Sequence, residues 1–219
     1  MGGAVYGGAG ILNLAAAVGG TVAAYPTALN LGTGTTIHST TQLALSNVST
    51  ATDTYTIQAV PTGSGPAPGV STTSLSLDPG ASQQVPVTLD ASGLAPGEYS
   101  GYLVVSGTAR GSVSNVPYWF AVPGADPAGI SILYQDYFDS TRSFSAQAVV
   151  FRVVDAAGLP YTGPLQPQFT VAGSGSVRRM YSIGDIPGTY AVDIRTGTVS
   201  MSLSLTIGDV TESVYIPVN

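Results

Sequence analysis

The chain has 219 residues, no cysteine, and a formal net charge of −6 from twelve acidic and six basic residues. That balance argues against a nucleic-acid partner, which needs a basic footprint. The missing thiols exclude disulfides, cysteine nucleophiles and cysteine metal sites. Charged residues make up only 8%, every basic residue is arginine, and 28 glycines and 15 prolines punctuate the chain. Its polarity is therefore carried by Ser, Thr, Asn and Gln, a composition that leans towards an extracellular or cell-surface β-protein.

The first 24 residues carry no charge. Val22-Ala23-Ala24 has the small-residue form of a signal cleavage box, but a basic leader is missing and glycines break the apolar run. Both facts argue against a signal peptide and against a membrane span. From Tyr25 onward an alternation of period two replaces any helical period. A first strand is expected around Ala28–Leu31. Leu43 and Leu45 then alternate with polar neighbours, as do Tyr55, Ile57 and Ala59, and Leu75 with Leu77 before the turn Asp78-Pro79-Gly80. Val85, Val87 and Leu89 follow, then the denser Tyr99–Val105. Val116, Tyr118, Phe120 and Val122 close the series, with Trp119 on the opposite face. About seven short strands separated by turn signals are the signature of a β-sandwich.

Pro123–Gly129, PGADPAG, lacks bulky apolar side chains and reads as a domain joint. The alternation then restarts with Ile130, Ile132 and Tyr134, and with Val149, Phe151 and Val153 before the turn DAAGLP. Phe169 with Val171, Val177–Ile183, Tyr190–Ile194, Met201–Ile207 and Val214–Val218 complete a second set of about seven strands. The expected fold class is all-β: two tandem immunoglobulin/fibronectin-III-like antiparallel sandwiches with a short helical N-terminal segment. The boundaries are residues 1–23 for that segment, 24–123 for the first sandwich, 124–129 for the linker and 130–219 for the second.

One phrase occurs twice. Pro-Gly-x-Tyr opens a strand at Tyr99 and again at Tyr190, 91 positions later. Proline fixes φ and glycine supplies a positive φ for the turn. The tyrosine is then expected to bury its ring and cap backbone with its hydroxyl, as in a tyrosine corner.

No catalytic set emerges. A Ser/His/Asp triad needs a proton-shuttling histidine, and the single one, His38, has no nucleophile elbow beside it. It reads as a partly exposed residue near the first strand connection. Asp136 and Asp139 in YQDYFDS offer carboxylates that could join a calcium site, but calcium wants several oxygens and no EF-hand spacing is present. No catalytic, cofactor or metal residue is assigned. Arg178-Arg179, the one adjacent basic pair, reads either as an anchor for an anionic partner or as charge guarding an exposed strand edge, the second being favoured. Tyr118 and Trp119 in VPYWFAV read as packing at the domain joint or as ligand-contact aromatics.

LDPGASQQVPVTLDASGLAPGEYSGYLVVSG together with VPYWFAV resembles the fibronectin-III-like domain that follows the catalytic domain of subtilisin-like (S8-type) serine peptidases. The residues are Pro79-Gly80, Val85 and Val87, Gly97 to Gly101, and Val116-Pro117, within Tyr25–Pro123. YGGAGILNLAAAV is similar to the end of a subtilase catalytic domain, through Tyr6, Gly8, Ala9, Gly10, Asn13 and Ala15 to Ala17, with one glycine more than that pattern. VVFRVVDAAGLPYTG and DIPGTYAVDI resemble bacterial immunoglobulin-like modules. The resemblance implies the non-catalytic C-terminal accessory region of a longer secreted peptidase. Its partner would be the protease domain of the parent chain, with a protein or cell-surface substrate besides. The alternative is a stand-alone extracellular adhesion or glycan-binding module with Tyr118 and Trp119 as its platform. On either reading this chain is not itself an enzyme and has neither a nucleic-acid partner nor a membrane span.

Overall fold

The computed structural model describes residues 19–109, 111–137 and 144–217. Residues 1–18 of the expected N-terminal segment lie outside them, as does Asp139; Val22 and Ala23, expected in that segment, belong instead to a strand of the first unit. The described chain is all-β and divides into two compact units, Met1–Val122 and Pro123–Asn219.

The first unit holds nine strands among its described residues: β1 Val22–Tyr25, β2 Leu29–Thr33, β3 Thr36–Asn47, β4 Asp53–Pro61, β5 Gly69–Val70, β6 Ser74–Leu77, β7 Ser82–Ser92, β8 Gly97–Gly107 and β9 Val113–Val122. They form two sheets, ordered β1-β3-β7-β5 and β2-β9-β8-β4-β6. All pairs are antiparallel except β2 with β9. The alternation read from the sequence explains the packing, since successive strand residues face opposite sides. Leu43, Leu45, Tyr55, Val85, Val87, Leu103, Val105, Tyr118 and Phe120 are almost fully buried between the sheets. Ser and Thr take the outer faces, where Ser46 and Ser82 pair their hydroxyls across β3 and β7 at 2.6 Å.

Buried Asn47 and Asp53 fasten the turns of this unit. The Asn47 amide donates to the carbonyls of Ala51 at 2.9 Å and Leu77 at 2.8 Å, and its oxygen accepts from Ser49 N–H at 2.9 Å. Asp53 accepts from the N–H groups of Thr54 at 2.8 Å and Ala109 at 2.9 Å, and from the Thr108 hydroxyl at 3.1 Å. A longer bond from the Thr21 hydroxyl reaches it at 3.5 Å, and Tyr55 donates to the Thr21 carbonyl at 2.8 Å.

The second unit is built differently. Its strands are β10 Pro127–Gln135, β11 Ser145–Asp155, β12 Gln168–Ser182, β13 Thr189–Ile207 and β14 Val210–Ile216. β12 and β13 are long strands that bend together. One end of β13, Tyr190–Ile194, lies between β11 and the Val177–Ser182 part of β12. The other, Met201–Ile207, lies between β14 and the Gln168–Gly173 part. The bend falls where Gly173 faces Met201 but Gly175 faces Thr196, so that residues 197–200 bulge. Ser174 closes the bulge by accepting from Val199 N–H at 2.8 Å and donating to the Val199 carbonyl at 2.9 Å. Gly173 has φ +98°, and a Cβ there would come within 2.2 Å of the Ser200 carbonyl oxygen, so only glycine fits. Phe151, Val153, Val192, Ile194, Met201, Leu203 and Leu205 fill the core.

Three expectations change. About seven strands per half become nine and five among the described residues; in the second half the sequence pattern passes through the bend without announcing that β12 and β13 each continue beyond it. The expected linker shrinks, since β10 begins at Pro127. Proline is tolerated there because β10 lies at a sheet edge and Pro127 opens the strand. The repeated phrase keeps its tyrosine but not its turn geometry: Gly188 has φ +67°, whereas in the first copy the positive φ falls on Gly93, not Gly97. In both copies the tyrosine stacks on its cross-strand partner, Tyr99 on Phe120 at 5.1 Å and Tyr190 on Phe151 at 5.6 Å. Tyr99 also donates to the Ala95 carbonyl at 2.7 Å, a tyrosine-corner bond.

Candidate functional site

The residues singled out in the sequence land in different settings. Tyr118 is 1% exposed, with no hydrogen-bond partner for its hydroxyl among the described residues. Burial pushes its pKa up to about 12. Its ring fills the first core and is out of reach of a ligand, so Tyr118 is withdrawn as a ligand contact. Trp119 points to the outer face and is half-buried, between its register neighbours Asn30 and Ser100. His38 and Asp90 are register partners whose exposed side chains pair at 2.6 Å. Asp136 accepts from Ser145 at 2.6 Å and from Tyr137 N–H at 2.9 Å, and no group of three or more metal-ligating side chains gathers among the described residues.

A more structured arrangement surrounds Asp193 on β13. Both strands beside it carry a β-bulge opposite this one residue. On β12, Val177 faces Ile194 and Arg179 faces Asp193, so Arg178 is an extra residue. On β11, Ser145 faces Ile194 and Val149 faces Val192, and within that slip Gln147 adopts φ +52°, the one non-glycine positive φ among the described residues. Left-handed backbone is costly for such a residue and persists where its surroundings hold it. Here the Gln147 N–H donates to Asp193 at 2.9 Å.

The β12 bulge has a consequence for the arginines. In a regular strand, neighbours 178 and 179 project to opposite faces; an inserted residue re-aims them. Arg178, Arg179, Phe144 and Asp193 line one cleft of about 310 Å³. Arg179 donates to Asp193 at 2.5 Å and lies over the Tyr181 ring at 4.9 Å. Arg178 lies over the Phe144 ring at 5.3 Å. Tyr181 donates a further bond to Asp193 at 3.3 Å.

Asp193 is 1% exposed. Burial alone would raise its pKa, but the Gln147 N–H, the Arg179 guanidinium and the Tyr181 hydroxyl more than offset this and hold the carboxylate below its usual range. The same pairing raises the pKa of Arg179, so its charge is permanent. Sequence reasoning found the arginines but missed Asp193, Gln147 and Phe144. A signal was present for the first: Asp193 sits between Val192 and Ile194 in a strand interior, where an acidic residue is rarely buried without a partner.

No family model matches the chain, and neither does any curated protein. Solved structures do resemble it. A protein of unknown function from Porphyromonas gingivalis W83 is 12% identical at a TM-score of 0.45, covering 91% of this chain and 100% of that one. The CsuC–CsuE chaperone–tip adhesion subunit pre-assembly complex of Acinetobacter baumannii is 11% identical at a TM-score of 0.39, covering 91% and 99%. The Escherichia coli chaperone DraB is 11% identical at a TM-score of 0.40, covering 89% and 96%. At these values the likeness speaks to the all-β sandwich fold alone.

The subtilase reading is overturned. The neighbours are mainly PapD-like chaperones and related sandwich domains, not subtilase C-terminal regions. No family model or curated protein ties the chain to a peptidase either. The accessory role and the protease domain as partner are therefore withdrawn, and the adhesion or glycan-binding alternative gains no support from these neighbours. The physical reason lies in the motif residues themselves. Gly80 has φ +74° in a turn, Val85 and Val87 are fully buried, and Gly101 lies where a Cβ would meet the Val60 carbonyl at 2.4 Å. These are needs of sandwich packing, shared by sandwiches of many functions. No described helix is long and apolar enough to cross a membrane.

Proposed function

We propose that the chain is a non-catalytic binding module of two immunoglobulin-like sandwiches, acting at the cell surface or outside it, whose protein partner docks on the Arg178/Arg179/Phe144 face of the second unit. The observation that carries this is the pair of bulges around Asp193, which brings two guanidiniums and an aromatic ring to one cleft. Arginine and aromatic side chains are the groups enriched where protein partners anchor. Edge protection alone accounts for a bulge and exposed charge. It does not call for a buried carboxylate that fixes Arg179 from beneath, or for a left-handed glutamine that completes the carboxylate's shell. The non-catalytic part rests on the single histidine, which is exposed and paired with Asp90. The hydroxyl-rich, lysine-free surface supports the location.

Selection of displayed peptides on the intact protein tests the reading, with Arg178→Ala/Arg179→Ala as the counter-target. Enriched sequences that lose binding to the double variant are expected. Selections that enrich nothing, or whose winners bind the variant equally well, would overturn it.

A further inference from the structure

We infer that the cleft receives the side-chain carboxylate of an Asp or Glu carried on an extended segment of the partner, with Arg178 as the residue that binds it. This rests on the docking face proposed above and names the chemistry recognised there.

The charges point to a monoanion. Among the described residues two guanidiniums stand against one carboxylate, and Asp193 is committed to Arg179 at 2.5 Å. The positive charge left over belongs to Arg178. Its position over the Phe144 ring uses the face of the guanidinium and leaves the planar edge for a carboxylate, which that fork matches in a bidentate manner. Arg179 acts as a positioning residue: pinned by Asp193 and stacked on Tyr181, it walls the cleft.

The size points to a side chain. At about 310 Å³ the cleft sits at the lower limit of small-molecule pockets, which run from ~300 to ~1,000 Å³. The setting points to an extended segment. β12 is an edge strand, paired with β13 on one side and with no strand on the other among the described residues. Its outward backbone groups therefore offer a template for strand addition beside the cleft. The chain as a whole is acidic, with a net charge of −6, so long-range attraction does not draw an acidic partner in. Recognition has to come from short contacts at Arg178.

The test is a two-dimensional NMR titration of the intact protein with two blocked amino acids of the same shape, N-acetyl-glutamate N-methylamide and N-acetyl-glutamine N-methylamide. Saturable shifts at the Arg178 and Arg179 side-chain N–H groups and the Phe144 ring are expected with the glutamate probe, which should bind at least about tenfold more tightly than the glutamine probe. Arg178→Gln, a change at an exposed position, should abolish that preference while leaving signals of the second core in place. Equal affinity for the two probes, or a preference that survives Arg178→Gln, would overturn the inference. So would inorganic sulfate displacing glutamate at equal concentration, because the cleft would then read charge without shape. Peptide selections that yield neutral sequences dependent on Arg178 and Arg179 would sink the carboxylate while leaving the docking face standing. Selections that yield nothing, beside a positive titration, would do the reverse.

Discussion

Among the described residues each unit buries one carboxylate that its neighbours hold below the usual range, and the two are used in opposite ways. Around Asp53 the donors among the described residues are backbone N–H groups and hydroxyls, those of Thr54, Thr108, Ala109 and Thr21. These groups belong to β4, to the turn after β8 and to the residue before β1, so the charge knits the fold. Around Asp193 one N–H and one hydroxyl are joined by a guanidinium whose side chain is 69% exposed. That charge is carried through to the surface. A buried carboxylate answered by backbone stabilises structure, and one answered by an exposed cation fixes a surface feature in place.

Substitutions can test that contrast if each unit is followed separately. Trp119, the only tryptophan, reports on the first unit by fluorescence, and the buried methyl of Met201 reports on the second by NMR. The largest effect is expected at the bend that only the second unit has. Gly173→Ala should cost about 3 kcal/mol or more, seen as a lower urea midpoint for Met201 with Trp119 unchanged. Asp53→Asn should come next, at roughly 2–3 kcal/mol in the Trp119 transition, because it removes the buried charge that the surrounding donors answer and sets an NH2 donor where one of the two acceptor oxygens stood. Asp193→Asn should cost roughly 1 kcal/mol in the Met201 transition, since Arg179 can return to water. Equal costs for the two carboxylates would erase the distinction. Tyr118→Phe should be neutral or stabilise by up to about 1 kcal/mol, because the hydroxyl it removes is buried and without a partner among the described residues. Tyr55→Phe, which removes a bond to Thr21, should cost about 1 kcal/mol instead.

The pH dependence follows from the same residues. Burial tends to raise the pKa of Asp53, but the Ala109 and Thr54 N–H groups and the Thr108 hydroxyl bring it below the usual range, as the corresponding groups do for Asp193. Their contribution is whole above the unfolded carboxylate pKa of ~3.9 and is lost as pH falls below it. Tyr118 acts at the other end. With its pKa raised to about 12, its contribution is whole below the unfolded pKa of ~10 and is lost as pH climbs from there. Urea midpoints at acidic pH should fall for both probes in the native protein, and less steeply for Met201 in Asp193→Asn. An alkaline loss at Trp119 that persists in Tyr118→Phe would assign it to another group.

Much of the fold was legible. Val85, Val87 and Leu89, or Met201, Leu203, Leu205 and Ile207, alternate so regularly that strand and buried face follow together. The candidate site was only half legible, because its geometry depends on irregularities. A bulge leaves no periodic trace, so Arg178 and Arg179 read only as an adjacent basic pair, favoured as the guard of a strand edge. Phe144 and Gln147 gave no signal at all. The subtilase resemblance failed for a related reason: turn glycines, paired valines and Pro-Gly-x-Tyr are what a sandwich requires, whatever it is for.

The sequence by itself determined that the chain is all-β, that it pairs apolar inner faces with hydroxyl-rich outer ones, and that its halves repeat a Pro-Gly-x-Tyr strand entry. These are properties of local period and turn chemistry, which neighbouring residues specify. Tertiary structure alone decided that β12 and β13 run on through the bend of the second unit, and that two bulges meet opposite Asp193. Strand pairing joins residues far apart in the chain, and its register sets which side chains share a face. That register turned an adjacent pair of arginines into one cleft.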